Sequence, residues 1–150
     1  MADMDAAKAE ETARRLQSMD RQAVAYALDV SDAGQVQALA EATRERFGRI
    51  DILVNSAGIS RFGPIEEISL DWWRRVIDVN LHGLFYCCHA AAKVMIQQRS
   101  GKIINIASLA GLIGIPNQCP YVASKHGVIG LTKALAIDLG PYNINVNCIC

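Results

Sequence analysis

Apolar and polar residues change period several times along the chain. Residues Ala6 to Met19, "AAKAEETARRLQSM", are strong helix formers with Leu16 on an apolar stripe, and they predict a helix. The alternating run "AVAYALDV", with Asp29 at its end, predicts a strand. In "SDAGQVQALAEATRERFG", Ser31 or Asp32 is the cap, Val36, Leu39, Ala40 and Phe47 are the apolar positions, and Gly48 is the stop of a second amphipathic helix. "IDILVNSAG" is a short aliphatic run that ends in small residues, as a strand covered on both faces does where it opens into a loop. Beyond Gly63 and Pro64, Ser69 can cap a long helix from Leu70 to about Gln98, and Gly101 precedes another aliphatic strand, "KIINIAS". The turn-rich "LAGLIGIPNQCP" leads into a helix that opens at Tyr121 and runs to about Leu139, where Gly140-Pro141 ends it. "INVNCIC" alternates like one more strand.

Strand and helix alternate along the whole chain without repeats or low-complexity linkers. That pattern predicts one α/β domain over residues 1–150, a doubly wound parallel sheet with helices on both faces. Sheets of this kind bind ligands at the carboxyl ends of their strands, where Asp29, Asn55 to Gly58 and Ser108 fall. The helices from Leu70 and from Tyr121 are apolar nearly all round, which predicts burial against a second layer, a subunit interface of a homo-oligomer.

Composition narrows the function classes. About half the residues are hydrophobic, and 15 Lys plus Arg balance 15 Asp plus Glu, so no strong field holds nucleic acid or an anionic membrane. The start, "MADMDAAKAEETARR", lacks the basic and then apolar pattern of a secretory signal, so a cytoplasmic location is expected. Val76 to Ile96 is the most apolar long stretch, but Asp78, Asn80, His82, His89 and Lys93 argue against a membrane span. Five cysteines form no CxxC pair and the three histidines lack ligand spacing, so no metal is expected.

Tyr121 and Lys125 stand four residues apart, a spacing that brings both polar heads to one helix face, with Cβ atoms about 5–6 Å apart. A phenol in water releases its proton only near pH 10. An ammonium roughly 5–6 Å away, at an effective dielectric near 20, favours the phenolate by about 3 kcal/mol, enough for a tyrosine to trade a proton with an alcohol. Ser108 closes a strand where ligands bind, so its hydroxyl either holds a substrate oxygen or simply turns the chain. Asn80 lies inside a helix, where asparagine competes for backbone hydrogen bonds and needs a partner.

The set "DILVNSAG", "VIDVNLHG", "GKIINIAS" and "YVASK", in this order and at these spacings, resembles the short-chain dehydrogenase/reductase family. The resemblance covers essentially the whole chain and implies a Rossmann-like nucleotide-binding fold that moves hydride between a nicotinamide cofactor and an alcohol or ketone. It implies Tyr121 as general acid/base and Lys125 as the lysine that assists it and holds the nicotinamide ribose. It further implies Ser108 as the residue on the substrate oxygen and Asn80 as holder of a water that links Lys125 to solvent. Asp29-Val30 resembles the pair that contacts adenine, and "NSAG" resembles the family's Asn-Asn-Ala-Gly with Ser56 substituted, so Asn55, Ala57 and Gly58 are expected against the cofactor. Asp3 falls where an acidic residue bonds the ribose hydroxyls, which favours NAD over NADP. Polyols, sugars, 3-oxoacyl thioesters and hydrophobic cyclic alcohols are substrate classes of the family, and Gln118 and Cys119 are candidate pocket residues. A dimer or tetramer through the two apolar helices is implied as well.

Two family features are missing: a glycine-rich turn after a first strand, and a Pro-Gly continuation beyond "NCIC". The chain is therefore expected to be an incomplete, internal segment of a longer protein. In the family's strand order the missing first strand lies between "ILVNSA" and the amino-terminal strand, so both are expected to present unpaired edges. The isolated chain is expected to be marginally stable and inactive. The rival reading is a truncated, non-catalytic relative that serves nucleotide binding or subunit assembly.

Overall fold

The computed structural model describes residues 1–150. Strand β1 (Ala2–Asp3) leads into helix α1 (Ala6–Gln17), which Asp5 caps by accepting from the Lys8 backbone N–H at 3.2 Å. The run "AVAYALDV" contributes only a two-residue strand, β2 (Tyr26–Ala27), parallel to β1 with Ala2 opposite Tyr26 and Asp3 opposite Ala27. A strand extends only as far as its ladder, and β1 is two residues long. Asp32, rather than Ser31, caps helix α2 (Ala33–Phe47), accepting from Gly34 N at 2.8 Å and Gln35 N at 3.1 Å. Gly48 ends it at φ +79°, a conformation that side chains disfavour.

The second sheet is the aliphatic one. β3 (Ile52–Asn55), β4 (Gly101–Ile106) and β5 (Ile144–Ile149) pair in that order, all parallel, with Asn55 opposite Asn105 and Asn105 opposite Cys148. Between β3 and β4 the chain is helical from Leu70 to Gln98, as expected, but not uniformly so. Helix α3 (Leu70–Ile77), capped by Ser69, widens into a π-helical segment, Asp78–Gly83, before α4 (Leu84–Gln98). Helix α5 (Cys119–Leu139) connects β4 to β5.

Helices α4 and α5 cover the three-stranded sheet, and Met95, Ile103, Val128 and Ile144, at most 1 % exposed, form the centre of that core. A smaller core of Leu28, Val36, Ala40 and Ala90 joins β2 and α2 to α4. The two sheets share no hydrogen-bonded strand pair. Between them lies an apolar cavity of about 570 Å³, lined by Ala2, Tyr26, Leu28, Val36, Leu53 and Val54 among others. Ile52 and Val54, alternate residues of β3, are 58 % and 55 % exposed, so the aliphatic edge expected from the sequence is bare. The architecture is the expected α/β fold with parallel strands and helices, its sheet incomplete. No helix is long and apolar enough to cross a membrane.

Candidate active site

Helix α5, which opens at Cys119 rather than at Tyr121, sets Tyr121 and Lys125 about one turn apart on one face, and Pro120, whose missing N–H costs nothing so near a helix start, precedes them. The Lys125 Nζ lies 5.6 Å from the centre of the Tyr121 ring and donates to the Ile106 carbonyl at 2.7 Å. Lys125 is only 5 % exposed, and that burial pulls its pKa below the ordinary lysine value. One of its three N–H donors is used within the protein, which leaves two for a ligand.

Ser108 follows β4, half-buried, and begins the single turn Leu109–Gly111 by accepting from Ala110 N at 3.1 Å. Its own proton is spent on no protein acceptor. The turn sits directly on α5, since a Cβ on Gly111 would stand 2.7 Å from the Lys125 carbonyl oxygen and 2.6 Å from Ile129 Cδ1. Only glycine allows that approach, which holds the Ser108 turn against the Lys125 turn.

Asn80, 1 % exposed in the π-helical segment, braces this site. Its Oδ1 accepts from Ile59 N at 2.8 Å, and its Nδ2 donates to Ile59 O at 2.9 Å and to Ser124 Oγ at 3.1 Å. Ser124 in turn donates to the Tyr121 carbonyl at 2.7 Å. Both amide hydrogens are thus committed within the protein.

The loop Ser56 to Gly58 is exposed, while Asn55 is buried and turned inward, donating to Asn105 Oδ1 at 2.9 Å and Cys88 Sγ at 3.3 Å. The Asn55 amide nitrogen is thus committed within the protein, while its Oδ1 and backbone carry no side-chain partner. A Cβ on Gly58 would stand 3.5 Å from Asn80 Oδ1 and 3.8 Å from Lys125 Nζ, so the missing side chain leaves an open cradle over the lysine. Asn105 carries no role in the sequence reading, yet it is 0 % exposed and donates to Thr132 Oγ1 at 2.9 Å, linking β3 through β4 to α5. A polar residue inside "KIINI" was the available signal.

The other predicted residues lie with the two-stranded sheet. Asp3 is exposed at the end of β1 and accepts from Asp5 N at 2.9 Å. Asp29 follows β2, and its Oδ1 accepts from Ser31 N at 2.9 Å and Ser31 Oγ at 2.7 Å. Its Oδ2 accepts from Arg75 Nη2 at 2.8 Å. The Ser31 hydroxyl first, with Arg75 as a smaller contributor, holds the Asp29 carboxyl below the usual carboxylate range. Val30 lies against Gly83, where a Cβ would stand 2.9 Å from the Val30 carbonyl oxygen.

Tyr121, Lys125, Ser124, Asn80 and Gly58 therefore form one connected group, and Asp3, Asp29 and Val30 a second across the sheet. The large cavity borders Asn55 to Ala57 and not Tyr121, so it belongs to the gap in the sheet rather than to the tyrosine. A nicotinamide dinucleotide fits the groups at both ends: small residues and an ammonium with two unused N–H donors on one side, accepting carboxylates at strand ends on the other. The glycine-rich turn that would seat its pyrophosphate is not among these residues.

Residues 1–150 match the family model described as short chain dehydrogenase. Over 128 residues the chain is 44 % identical to the 3-oxoacyl-[acyl-carrier-protein] reductase of Synechocystis, which covers 85 % of this chain and 52 % of that protein. The crystal structure of NAD+-bound xylitol dehydrogenase superposes with a TM-score of 0.95 at 36 % identity, covering 98 % of this chain and 57 % of that one. A gluconate 5-dehydrogenase from Burkholderia cenocepacia, crystallised with NADP and tartrate, superposes at 0.93 with 38 % identity, covering 99 % and 58 %. The chain spans about half the length of the curated relatives it matches.

Proposed function

Because this chain belongs to the short-chain dehydrogenase family, we propose that the protein carrying it transfers hydride between NAD and a secondary alcohol or its ketone, with Tyr121 as general acid/base. The observation that carries this reading is the buried Lys125 ammonium, 5.6 Å from the Tyr121 ring and fixed to the Ile106 carbonyl. In the oxidative direction Tyr121 removes the hydroxyl proton, and in the reductive direction it returns one to the carbonyl oxygen. Lys125, beside the Tyr121 ring, assists it and turns its two remaining N–H donors toward the ribose hydroxyls. Ser108 donates its free proton to the substrate oxygen, where charge builds up. Asn80 and Ser124 keep the first turn of α5 in register with the Gly58 loop. Bound nicotinamide would supply or take up the hydride at the carbinol carbon.

Asp3, Asp29, Val30, Asn55, Ala57 and Gly58 form the remaining cofactor surface. The Asp3 carboxylate repels a ribose 2′-phosphate and supports NAD over NADP. Exposed apolar side chains on α3, α4 and α5, among them Trp73, Phe85 and Ile137, support a homodimer or homotetramer, and the working location is the cytoplasm. The 150-residue chain alone is expected to be inactive, since its sheet is open and no turn seats the pyrophosphate.

The test uses the full-length protein, following NADH absorbance over a panel of secondary alcohols and ketones, the parent against Tyr121→Phe. The variant is expected to lose about 10²–10⁴-fold in kcat while binding NAD like the parent. Equal turnover by the variant overturns Tyr121 as the acid/base. Failure of the parent to bind NAD favours the truncated, non-catalytic relative, whose support is the missing glycine-rich turn.

A further inference from the structure

On the reading above, a nucleotide lies across the carboxyl ends of the strands, where Arg75 makes contacts that no feature of the sequence suggests. Arg75 belongs to α3, a helix that packs against α5 in the half of the molecule holding Tyr121. Its guanidinium reaches into the other half. Nη2 donates to Asp29 Oδ2 at 2.8 Å, Nη1 donates to Ser31 Oγ at 2.8 Å, and Nη2 also lies 3.8 Å from the Met4 sulfur. Arg74, its neighbour in sequence, makes only a surface pair with Asp71, on side chains 66 % and 93 % exposed.

An aspartate at a strand end normally swings about two torsions. This one is held on both oxygens: Ser31 occupies Oδ1 with a backbone and a hydroxyl donor, and Arg75 occupies Oδ2. The Asp29 side chain remains 30 % exposed, and Oδ2, with a single protein donor, keeps acceptor capacity for a ligand. A carboxylate only accepts hydrogen bonds. Fixed in this way it favours a ligand atom bearing N–H and disfavours a carbonyl oxygen in the same place. Arg75 also neutralises the carboxylate, so that its charge does not oppose the phosphates of a dinucleotide.

We propose that Arg75 is a positioning residue for cofactor selection: it holds Asp29 as an oriented acceptor, so that the site takes a dinucleotide whose purine carries an amino group, adenine rather than hypoxanthine. This rests on the dinucleotide-binding reading above.

The test measures dissociation constants for the full-length protein with three probes: NAD, nicotinamide hypoxanthine dinucleotide, in which a 6-oxo group replaces the amine, and nicotinamide mononucleotide, which lacks the purine. The parent is expected to prefer NAD over the hypoxanthine analogue by about tenfold or more, the size of one hydrogen bond to a charged acceptor. Arg75→Met is expected to bring that preference below about threefold while mononucleotide binding stays unchanged, and Arg75→Lys to restore part of it. Ser31→Ala, which removes the hydroxyl donor to Asp29 and with it the acceptor of Arg75 Nη1, is expected to move the ratio in the same direction, and Arg74→Met to leave it as in the parent. An undiminished preference in Arg75→Met overturns the assignment. So does an equal loss for all three probes, which marks a purely structural role, and so does a parent that binds both dinucleotides alike. These outcomes leave the proposed function standing, whereas a parent that binds neither dinucleotide overturns both.

Discussion

Lys125 and Cys88 are both buried beside polar backbone or amide groups, and burial moves them in opposite directions because in each case it disfavours the charged form. The lysine is drawn down, toward losing its proton, and the thiols of α4 are driven up, Cys87 to about 11 and Cys88 to about 12. A thiol that stays protonated in the folded chain but ionises from 9.0 in the unfolded one gives stability that is complete below that value and is lost as pH rises toward 11. Urea unfolding of the full-length protein under reducing conditions should therefore show a loss of stability between pH 9 and pH 11 that Cys87→Ala makes smaller. An identical loss in the variant would remove Cys87 from the account. At this scale the sequence was an uneven guide. That Tyr121 and Lys125 share one helix face was legible because an i, i+4 spacing is local. Arg75 was not, since its partner Asp29 lies 46 residues away and nothing in "WWRRV" separates it from Arg74. The direction of the Asn55 amide is not legible from the sequence, and the folded register, with Asn105 directly opposite, shows where it points.

Helices α1 to α5 and the strands of the aliphatic sheet were legible from caps, stops and period, as Asp32, Ser69 and Gly48 illustrate. What the period could not disclose is the π-helical segment Asp78–Gly83, because one wide turn barely disturbs a pattern that is apolar almost everywhere. The awkward residue there, Asn80, is the reason the segment matters: it is the point where the helix grips the Ile59 backbone. At the other end of the same segment Gly83 lets α4 touch Val30, with no room for a methyl group, 2.8 Å from Val30 Cγ2 and 2.9 Å from its carbonyl oxygen. Gly83→Ala is expected to cost about 1–3 kcal/mol in urea unfolding, the usual penalty of overpacking. Val30 is part of the proposed cofactor surface, so the KM for NAD should rise with little change in kcat. A variant as stable as the parent would mean that α4 and β2 slide apart freely.

The whole molecule is two parallel sheets held together by helices, α2 against α4, and by the reach of Arg75. Neither sheet is closed toward the other, and the apolar cavity between them, with Ile52 and Val54 bare on β3, is a surface that water does not favour. The 150-residue chain on its own is expected to associate as concentration rises in sedimentation velocity. Ile52→Lys with Val54→Lys should suppress that association, since lysine on an open edge discourages strand pairing and both positions are already more than half exposed. A chain that stays monomeric at tens of micromolar without these changes would contradict this. The unequal cores carry one more consequence. The larger one comprises twelve buried residues beneath Lys125, and the smaller one, four residues between β2, α2 and α4, lies beneath Asp29. Opening fluctuations cost least where least is buried, so the half that carries Asp29 is the half that comes loose first. A nucleotide bound as proposed would act as a strap across the weaker seam, and each tenfold rise in its concentration above the dissociation constant would add about 1.4 kcal/mol to the work of parting it.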